Sequence, residues 1–282
     1  MRFSIEVFPP RSPDGLGALW DTVVQLGALD PLFVSVTYGA GGSDRDRSFD
    51  AIRTVGTTGA VVAGHLTCVG QSVDDVDSVV ECYATLGVEH VVALRGDPPD
   101  GAGAPYVPHV DGYRRTADLV AAVKRRGGFD VAVSAYPERH PQSPSIAHDL
   151  DVLADKVAAG ADRAITQMFF DNALFLRHRD RVAARGLDIP LVPGVFPIHS
   201  FPAVARFSER CGATIPDMVT ERFAGLEDDR DGATEVAAEL AAEQITELAF
   251  NGVEHVHLYT LNRAELALAV GERLGVVDRV RT

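Results

Sequence analysis

Two apolar runs in this chain end in the same way, with a carboxylate and then two prolines. Phe3 to Phe8 carries Glu6 ahead of Pro9-Pro10, and Val88 to Leu94 leads into Arg95-Gly96-Asp97 ahead of Pro98-Pro99. Proline cannot donate to a strand ladder, so each di-proline stops a strand and leaves its acid at the strand end. Two such ends suggest carboxylates facing a shared mouth, where a carboxyl group can act as general acid or base. Asp97 taken alone also reads as a helix cap or a partner for Arg95. The Arg-Gly-Asp triplet has no other extracellular feature beside it to make it an adhesion signal.

Further polar residues fall at strand ends: Thr37, Tyr38, His65, Tyr136, His140, Gln167 and Tyr259. Caps and turns also favour polar side chains, but their spread over all strands except the seventh points to a functional mouth. His255 and His257 alternate on one strand and so share a face. Such a pair reads either as half of a metal site, completed by His65 or His140, or as a packed, hydrogen-bonded pair. No H-E-x-x-H spacing supports the metal, and the packed pair is the expectation. Cys68 lacks a sequence neighbour that would activate it and reads as inert.

These residues must be carried by a repeating strand-helix unit. Strands are expected at Phe3–Phe8, Leu32–Thr37, Ala60–Thr67, Val88–Leu94, Asp130–Tyr136, Arg163–Phe169, Ile189–Val192 and Glu254–Tyr259. Helical periodicity follows each, with Ser72 placed to cap the third helix ahead of Asp74 and Asp75. Cys211 to Asp231 reads as an insertion in the seventh crossover, and Asp100 to Gly112 as a Gly/Pro-rich surface loop. Eight strands alternating with eight helices describe a single-domain (β/α)8 TIM barrel of the α/β class over residues 1–282. A doubly wound sheet is the runner-up, but no G-x-G-x-x-G follows any strand.

Composition bounds the partners. The formal net charge of −14 argues against nucleic acid or an anionic membrane, though not against a small anionic ligand. Three cysteines without C-x-x-C spacing support neither a disulfide framework nor a zinc knuckle, and fit a reduced cytoplasmic compartment. The chain opens on MRFSIEVF with no charged leader and apolar run, so no signal peptide is expected. No apolar run approaches the roughly 20 residues of a membrane helix.

The runs FSIEVFPPR, FVSVTYGA, GHLTC, ALRGDPP, AYPERHP, GADRAITQMFFD and HLYTLNR, in this order, resemble the 5,10-methylenetetrahydrofolate reductases. The resemblance covers residue 3 to about residue 270 and implies a (β/α)8 barrel that holds FAD, without the regulatory domain of eukaryotic members. It implies reduction of 5,10-methylenetetrahydrofolate to 5-methyltetrahydrofolate by NADH or NADPH through the flavin, and a dimer or tetramer. By this resemblance Glu6 is the general acid that opens the methylene bridge, a role that needs a carboxyl group kept protonated by burial. Asp97 lies against flavin and pterin, Gln167 bonds the pterin, and Phe201 stacks on the aminobenzoyl group or the nicotinamide. Thr37, Tyr38, Ala40, His65, Arg95, Gly96, Tyr136, His140, Asp149 and Lys156 match flavin contacts, with Arg95 and Lys156 suited to the pyrophosphate. Tyr259 and Arg263 match the folate side.

One departure stands out. Arg115-Thr116 replace a Tyr-Ala pair that usually meets the flavin, which bears on how tightly FAD is held. Two other readings stay open: the same reduction by direct hydride transfer from the nicotinamide, and a metal-dependent barrel hydrolase using His255, His257, His65 and Asp97.

Overall fold

The computed structural model describes residues 1–38, 45–98 and 105–277. Its strands are β1 (Arg2–Val7), β2 (Val34–Val36), β3 (Val62–Thr67), β4 (His90–Leu94), β5 (Asp130–Ala135), β6 (Arg163–Thr166), β7 (Leu191–Val192), β8 (Gly194–Val195) and β9 (His255–Tyr259). Its helices are α1 (Leu16–Leu26), α2 (Arg45–Gly56), α3 (Val73–Thr85), α4 (Thr116–Arg126), α5 (Ile146–Ala158), α6 (Asn172–Ala184), α7 (Phe201–Cys211), α8 (Asp217–Phe223), α9 (Arg230–Phe250) and α10 (Ala264–Arg273). All pairings are parallel, in the order β7-β6-β5-β4-β3-β2-β1-β9-β8. β7 and β8 are two pieces of one strand interrupted at Pro193, so the two ends of that order meet and the sheet closes. Pro193 has no N–H for the ladder, yet its carbonyl still accepts from the His257 N–H at 2.9 Å. The seventh strand expected at Ile189–Val192 therefore runs past the proline, to Val195. This is the (β/α)8 barrel that the strand count implied.

Alternation sorts the side chains into two apolar layers. Ile5, Val7, Val34, Val36, Val91, Ala93, Val131 and Val133 join the helix residues Val23, Val79 and Val120 in the outer layer. Phe33, Ala63, Val92, Ala132, Ile165 and Val192 form a separate cluster inside the barrel. Each large apolar side chain buried in this way contributes about 1.5–3 kcal/mol. The interior also carries polar groups: His90, Asp130 and Arg163 interact at the foot of β4, β5 and β6, and along the β1/β9 seam Arg2, Ser4 and Glu6 pair in register with His255, His257 and Tyr259.

The Ser72 cap is present as a full capping box: its hydroxyl accepts from the Asp75 N–H, and the Asp75 carboxylate accepts from the Ser72 N–H. The stretch expected as an insertion after Cys211 contains α8, which Pro216 starts and which packs Phe223 on Phe201 at 5.3 Å between ring centroids.

Candidate active site

The C-terminal ends of the strands open on a cavity of about 700 Å³, the size of a cofactor or drug-like ligand site. Glu6, Thr37, Tyr38, His65, Arg95, Gly96, Asp97, Tyr136, His140, Asp149, Lys156, Gln167 and Tyr259 all line it. Those thirteen of the residues expected from sequence are thus brought to one mouth. Ala40 lies outside the described residues. Phe201 and Arg263 do not line the cavity: Phe201 is stacked on Phe223, and Arg263 is exposed ahead of α10. Phe196 and Phe207 are the phenylalanines that line it instead.

Glu6 sits near the end of β1 with 21% of its side chain exposed, its Oε2 3.3 Å from His65 Nε2 and 3.8 Å from His257 Nε2. Burial pushes its carboxyl up, but the imidazoles of His257 and His65 that face it outweigh burial and leave it below the usual value. Burial alone therefore does not keep Glu6 protonated in the ligand-free protein, because two imidazoles face it. Burial also lowers the His65 imidazole, against the pull of Glu6.

The opposite wall is cationic. Lys156, on α5, is buried, and its Nζ donates to the Ser134 carbonyl at 2.8 Å and the Ser134 hydroxyl at 3.2 Å. Burial, opposed by Asp149 and aided by Arg95, pulls its amine down to about 8. Ser145 caps α5, which places Asp149 in the first turn, where its carboxylate accepts from the His140 N–H at 3.1 Å. The His140 ring meets Tyr136 edge-on at 4.7 Å. Among the described residues no carboxylate pairs with Arg95, whose guanidinium lies 4.9 Å over the Tyr106 ring. Gly96 has φ +81, and a Cβ there would meet Val69 at 2.5 Å and Thr67 at 2.9 Å, so only glycine lets the chain turn between Arg95 and Asp97.

On the third side, Gln167 Oε1 accepts from the Met168 N–H at 2.9 Å, and the Tyr259 hydroxyl donates to the Thr166 carbonyl at 2.8 Å. Gly194 makes room for that ring, since a Cβ there would lie 2.5 Å from Tyr259 Cε2.

Arg115, singled out from sequence, and His148 also line the cavity, as do Tyr106, Arg114, His178 and Phe207, which escaped the sequence reading because they come from loops and helices rather than strand ends. Arg115 is held away from a free role by Asp118 and Asp155, each at 3.1 Å. The His-x-His pair is hydrogen-bonded, as expected: His257 Nδ1 and His255 Nε2 reach one Ser4 hydroxyl at 2.7 and 2.9 Å. Among the described residues no group of three or more His, Cys, Asp or Glu side chains is arranged to hold a metal ion. Cys68 is buried, and burial raises its thiol, consistent with an inert residue.

The cation wall fits a group that carries a pyrophosphate. Arg95 and Lys156 supply the charge, and Thr67 Oγ1 and both His178 ring nitrogens are buried without a hydrogen-bond partner. Each such orphan costs about 1–3 kcal/mol, which a polar ligand at this wall would offset.

Fold and site together define a (β/α)8-barrel enzyme with its acid, its amide and its cations gathered at the C-terminal mouth. The sequence profile of the methylenetetrahydrofolate reductase family matches residues 1–275. The 5,10-methylenetetrahydrofolate reductases of Pectobacterium carotovorum subsp. carotovorum and Escherichia coli are 43% and 40% identical to it over 274 residues, 97% of this chain and 90% of theirs. A rice protein named probable methylenetetrahydrofolate reductase (NADH) is 32% identical over 98% of this chain and 48% of its own length. The chain belongs to the methylenetetrahydrofolate reductase family. Among solved structures, an uncharacterized Clostridium thermocellum protein described as binding two copies of 5-methyl-5,6,7,8-tetrahydrofolic acid superposes with a TM-score of 0.65. It is 12% identical, with 96% of this chain and 95% of that one covered, and supports the fold alone. No helix among the described residues is long and apolar enough to cross a membrane.

Proposed function

We propose that this chain reduces 5,10-methylenetetrahydrofolate to 5-methyltetrahydrofolate with NADH or NADPH as donor, through FAD held against the cation wall. The observation that carries the reading is one cavity lined together by Glu6, Gln167, Arg95 and Lys156. FAD, when bound, supplies the two-stage hydride transfer from nicotinamide to folate. Arg95 and Lys156 hold the pyrophosphate, and Thr67 and His178 give polar contacts that are open in the protein alone.

The methylene bridge accepts hydride poorly until its ring opens. Glu6 gives a proton to N10 as the C–N10 bond breaks, the bond pair stays on N10, and an iminium forms at N5 of the folate. Gln167 and Asp97 hold the pterin in register, with Gln167 able to donate and accept at once. For Glu6 to act as acid its carboxyl must be protonated when folate is bound. A pterin over the mouth removes the water around Glu6 and so strengthens the burial that already favours the neutral acid.

A second reading rests on Tyr106, whose ring already covers one face of the Arg95 guanidinium. If that cation is less open to a pyrophosphate, hydride would pass directly from nicotinamide to folate. Titration of the purified protein with FAD, followed by flavin fluorescence, tests both alongside a folate reduction assay. Saturable binding at micromolar protein with FAD-dependent reduction is expected. Reduction without flavin binding would leave the direct-transfer reading, and no reduction under either condition would end both.

A further inference from the structure

A second cavity of about 560 Å³ lies at the other end of the barrel, lined by Arg2, Asp162, Arg163, Arg179, Glu254 and His255 among others. It is not built for an anion. Arg163 is paired with Asp130 at 2.5 Å, Lys124 neutralises Asp162 at 2.8 Å, and Arg179 is spent on the Asn251 carbonyl. What sets it apart is its connection to Glu6. His255 belongs to its lining, His255 Nε2 reaches the Ser4 hydroxyl at 2.9 Å, that hydroxyl reaches His257 Nδ1 at 2.7 Å, and His257 Nε2 lies 3.8 Å from Glu6 Oε2.

The seam containing this file is polar beside an apolar cluster of Phe33, Ala63, Val92, Ala132, Ile165 and Val192 inside the barrel, where the polar group of Arg163, Asp130 and His90 is paired within itself. Ser4 and His257 are both buried, and two histidines share one hydroxyl. Buried polar groups cost free energy unless bonded, and an apolar pair would have continued the filling. We propose that this file is a proton route, through which Glu6 is recharged from the far end of the barrel while folate covers the mouth. The inference rests on the reductase reading given above.

The protons balance. In the tautomers that satisfy the file, His255 Nε2–H donates to Ser4, Ser4 O–H donates to His257 Nδ1, and His257 Nε2–H faces the Glu6 carboxylate. A proton from water in the second cavity arrives at His255 Nδ1, each donor passes its own proton one place on, and Glu6 ends protonated. The folate N10 then takes that proton as its bond to carbon breaks, so one proton enters for each hydride transferred. A neutral imidazole can accept at one nitrogen while donating from the other, which the file requires of both histidines. Burial, with the charges of His257, Arg163 and Arg2, holds His255 down at about 3 and so in that neutral form. Two imidazoles face Glu6 and favour its carboxylate, so the proton must arrive once the pterin is in place.

His255→Gln keeps a donor to Ser4 but lacks a second site to accept a proton, and His255→Phe removes both. Stopped-flow measurement of the two half-reactions separates the outcomes. Both variants are expected to slow the folate-reducing half-reaction about 10²-fold, the lower end of what general acid catalysis is worth, and to leave the nicotinamide half-reaction and folate affinity unchanged. Added imidazole should restore the rate of His255→Ala, whose truncation leaves room for it, in a saturable way, an effect that a merely structural loss would not show. In the protein alone, ¹⁵N-histidine NMR should find the Nε2–H tautomer on both His255 and His257. An unchanged folate half-reaction in both variants, loss without imidazole rescue, or Nδ1–H on His257 would overturn the route while leaving the reductase reading intact. A wild-type protein that does not reduce methylenetetrahydrofolate would instead remove the reading on which the route rests.

Discussion

Glu6 on β1 and His65 on β3 reach towards each other past β2, with Oε2 and Nε2 3.3 Å apart. The His65 nitrogen makes no hydrogen bond, so the contact is electrostatic and open to change when a ligand enters. With His257 on the other side, Glu6 is a carboxylate in the ligand-free protein, held below its usual range against the pull of burial. Its acidity therefore depends on what occupies the mouth, and a ligand that displaces water shifts it towards the neutral acid.

Glu6→Gln keeps nearly the same shape and removes the proton. Reduction of FAD by nicotinamide needs no such proton and should survive, whereas folate reduction should fall by about 10²–10⁴-fold. Stopped-flow traces of the two half-reactions check this. Equal slowing of both would indicate a damaged site, and an unchanged folate step would move the acid to another group, Asp97 or a water.

Much of the site was legible because strand ends carry it. Period-two alternation and an acid ahead of two prolines were enough to bring Glu6, Asp97, Gln167 and Tyr259 to one mouth, and a hydrogen-bonded His255–His257 pair followed from their shared face. Tyr106, His178 and Phe207 were not legible, since a loop or helix residue points into a mouth only through tertiary packing. Phe201 illustrates the converse: it begins α7 in an apolar run, but α8, a seven-residue helix without strong periodicity, supplies Phe223 to cover it. The charge state of Glu6 also depended on packing, since only the closed barrel sets His65 and His257 against it.

Lys156 should make flavin binding pH-dependent. Its amine titrates at about 8, pulled down by burial first, so the free site loses its ammonium as pH rises through that value. FAD affinity should weaken above it, with the fall displaced upwards because the bound pyrophosphate favours the charged form. Lys156→Met should weaken binding roughly 10–150-fold, as loss of a hydrogen bond to a charged group implies, and flatten the pH dependence. Fluorescence titrations across the range would settle it; a pH profile shared by wild type and variant would exclude Lys156 from the pyrophosphate site.

Asp130 ties the bottom of β5 to β6 and β4, accepting two hydrogen bonds from Arg163 and lying 3.3 Å from His90 Nδ1. Burial raises its carboxyl, but His90 and Arg163 together bring it down to about 2 from an ordinary 3.8. A carboxyl depressed by folding stabilises the native state above its unfolded value and loses that contribution as pH falls towards the folded one. Asp130→Asn should therefore cost about 1–2 kcal/mol at neutral pH, allowing for solvent screening of a half-buried group, and progressively less below pH 4. Urea unfolding at neutral and acid pH measures this, and an equal loss at both would make the effect steric.

Gly194 sits where Pro193 has broken the seventh strand, and the space above it is taken by the Tyr259 ring. A Cβ at this position would meet the Thr166 carbonyl at 2.3 Å, Tyr259 Cε2 at 2.5 Å and the Tyr259 hydroxyl at 2.9 Å. Gly194→Ala therefore has to move its own strand away from the Thr166 carbonyl as well as force the ring out, which breaks the 2.8 Å bond of Tyr259 to Thr166. Overpacking of this kind costs about 1–3 kcal/mol, and the variant should melt lower. Tyr259 is the register partner of Glu6 across β1 and β9, and in the function proposed above it faces the folate. Displacing the ring should therefore raise KM for methylenetetrahydrofolate and leave FAD affinity unchanged, because the cation wall is on the other side. Tyr259→Phe keeps the ring and removes only the hydroxyl, so it should affect KM less than Gly194→Ala does. Steady-state kinetics with FAD titrations of both variants distinguish the cases. A lower melting temperature with unchanged KM would mean that Tyr259 braces the broken strand and takes no part in holding folate.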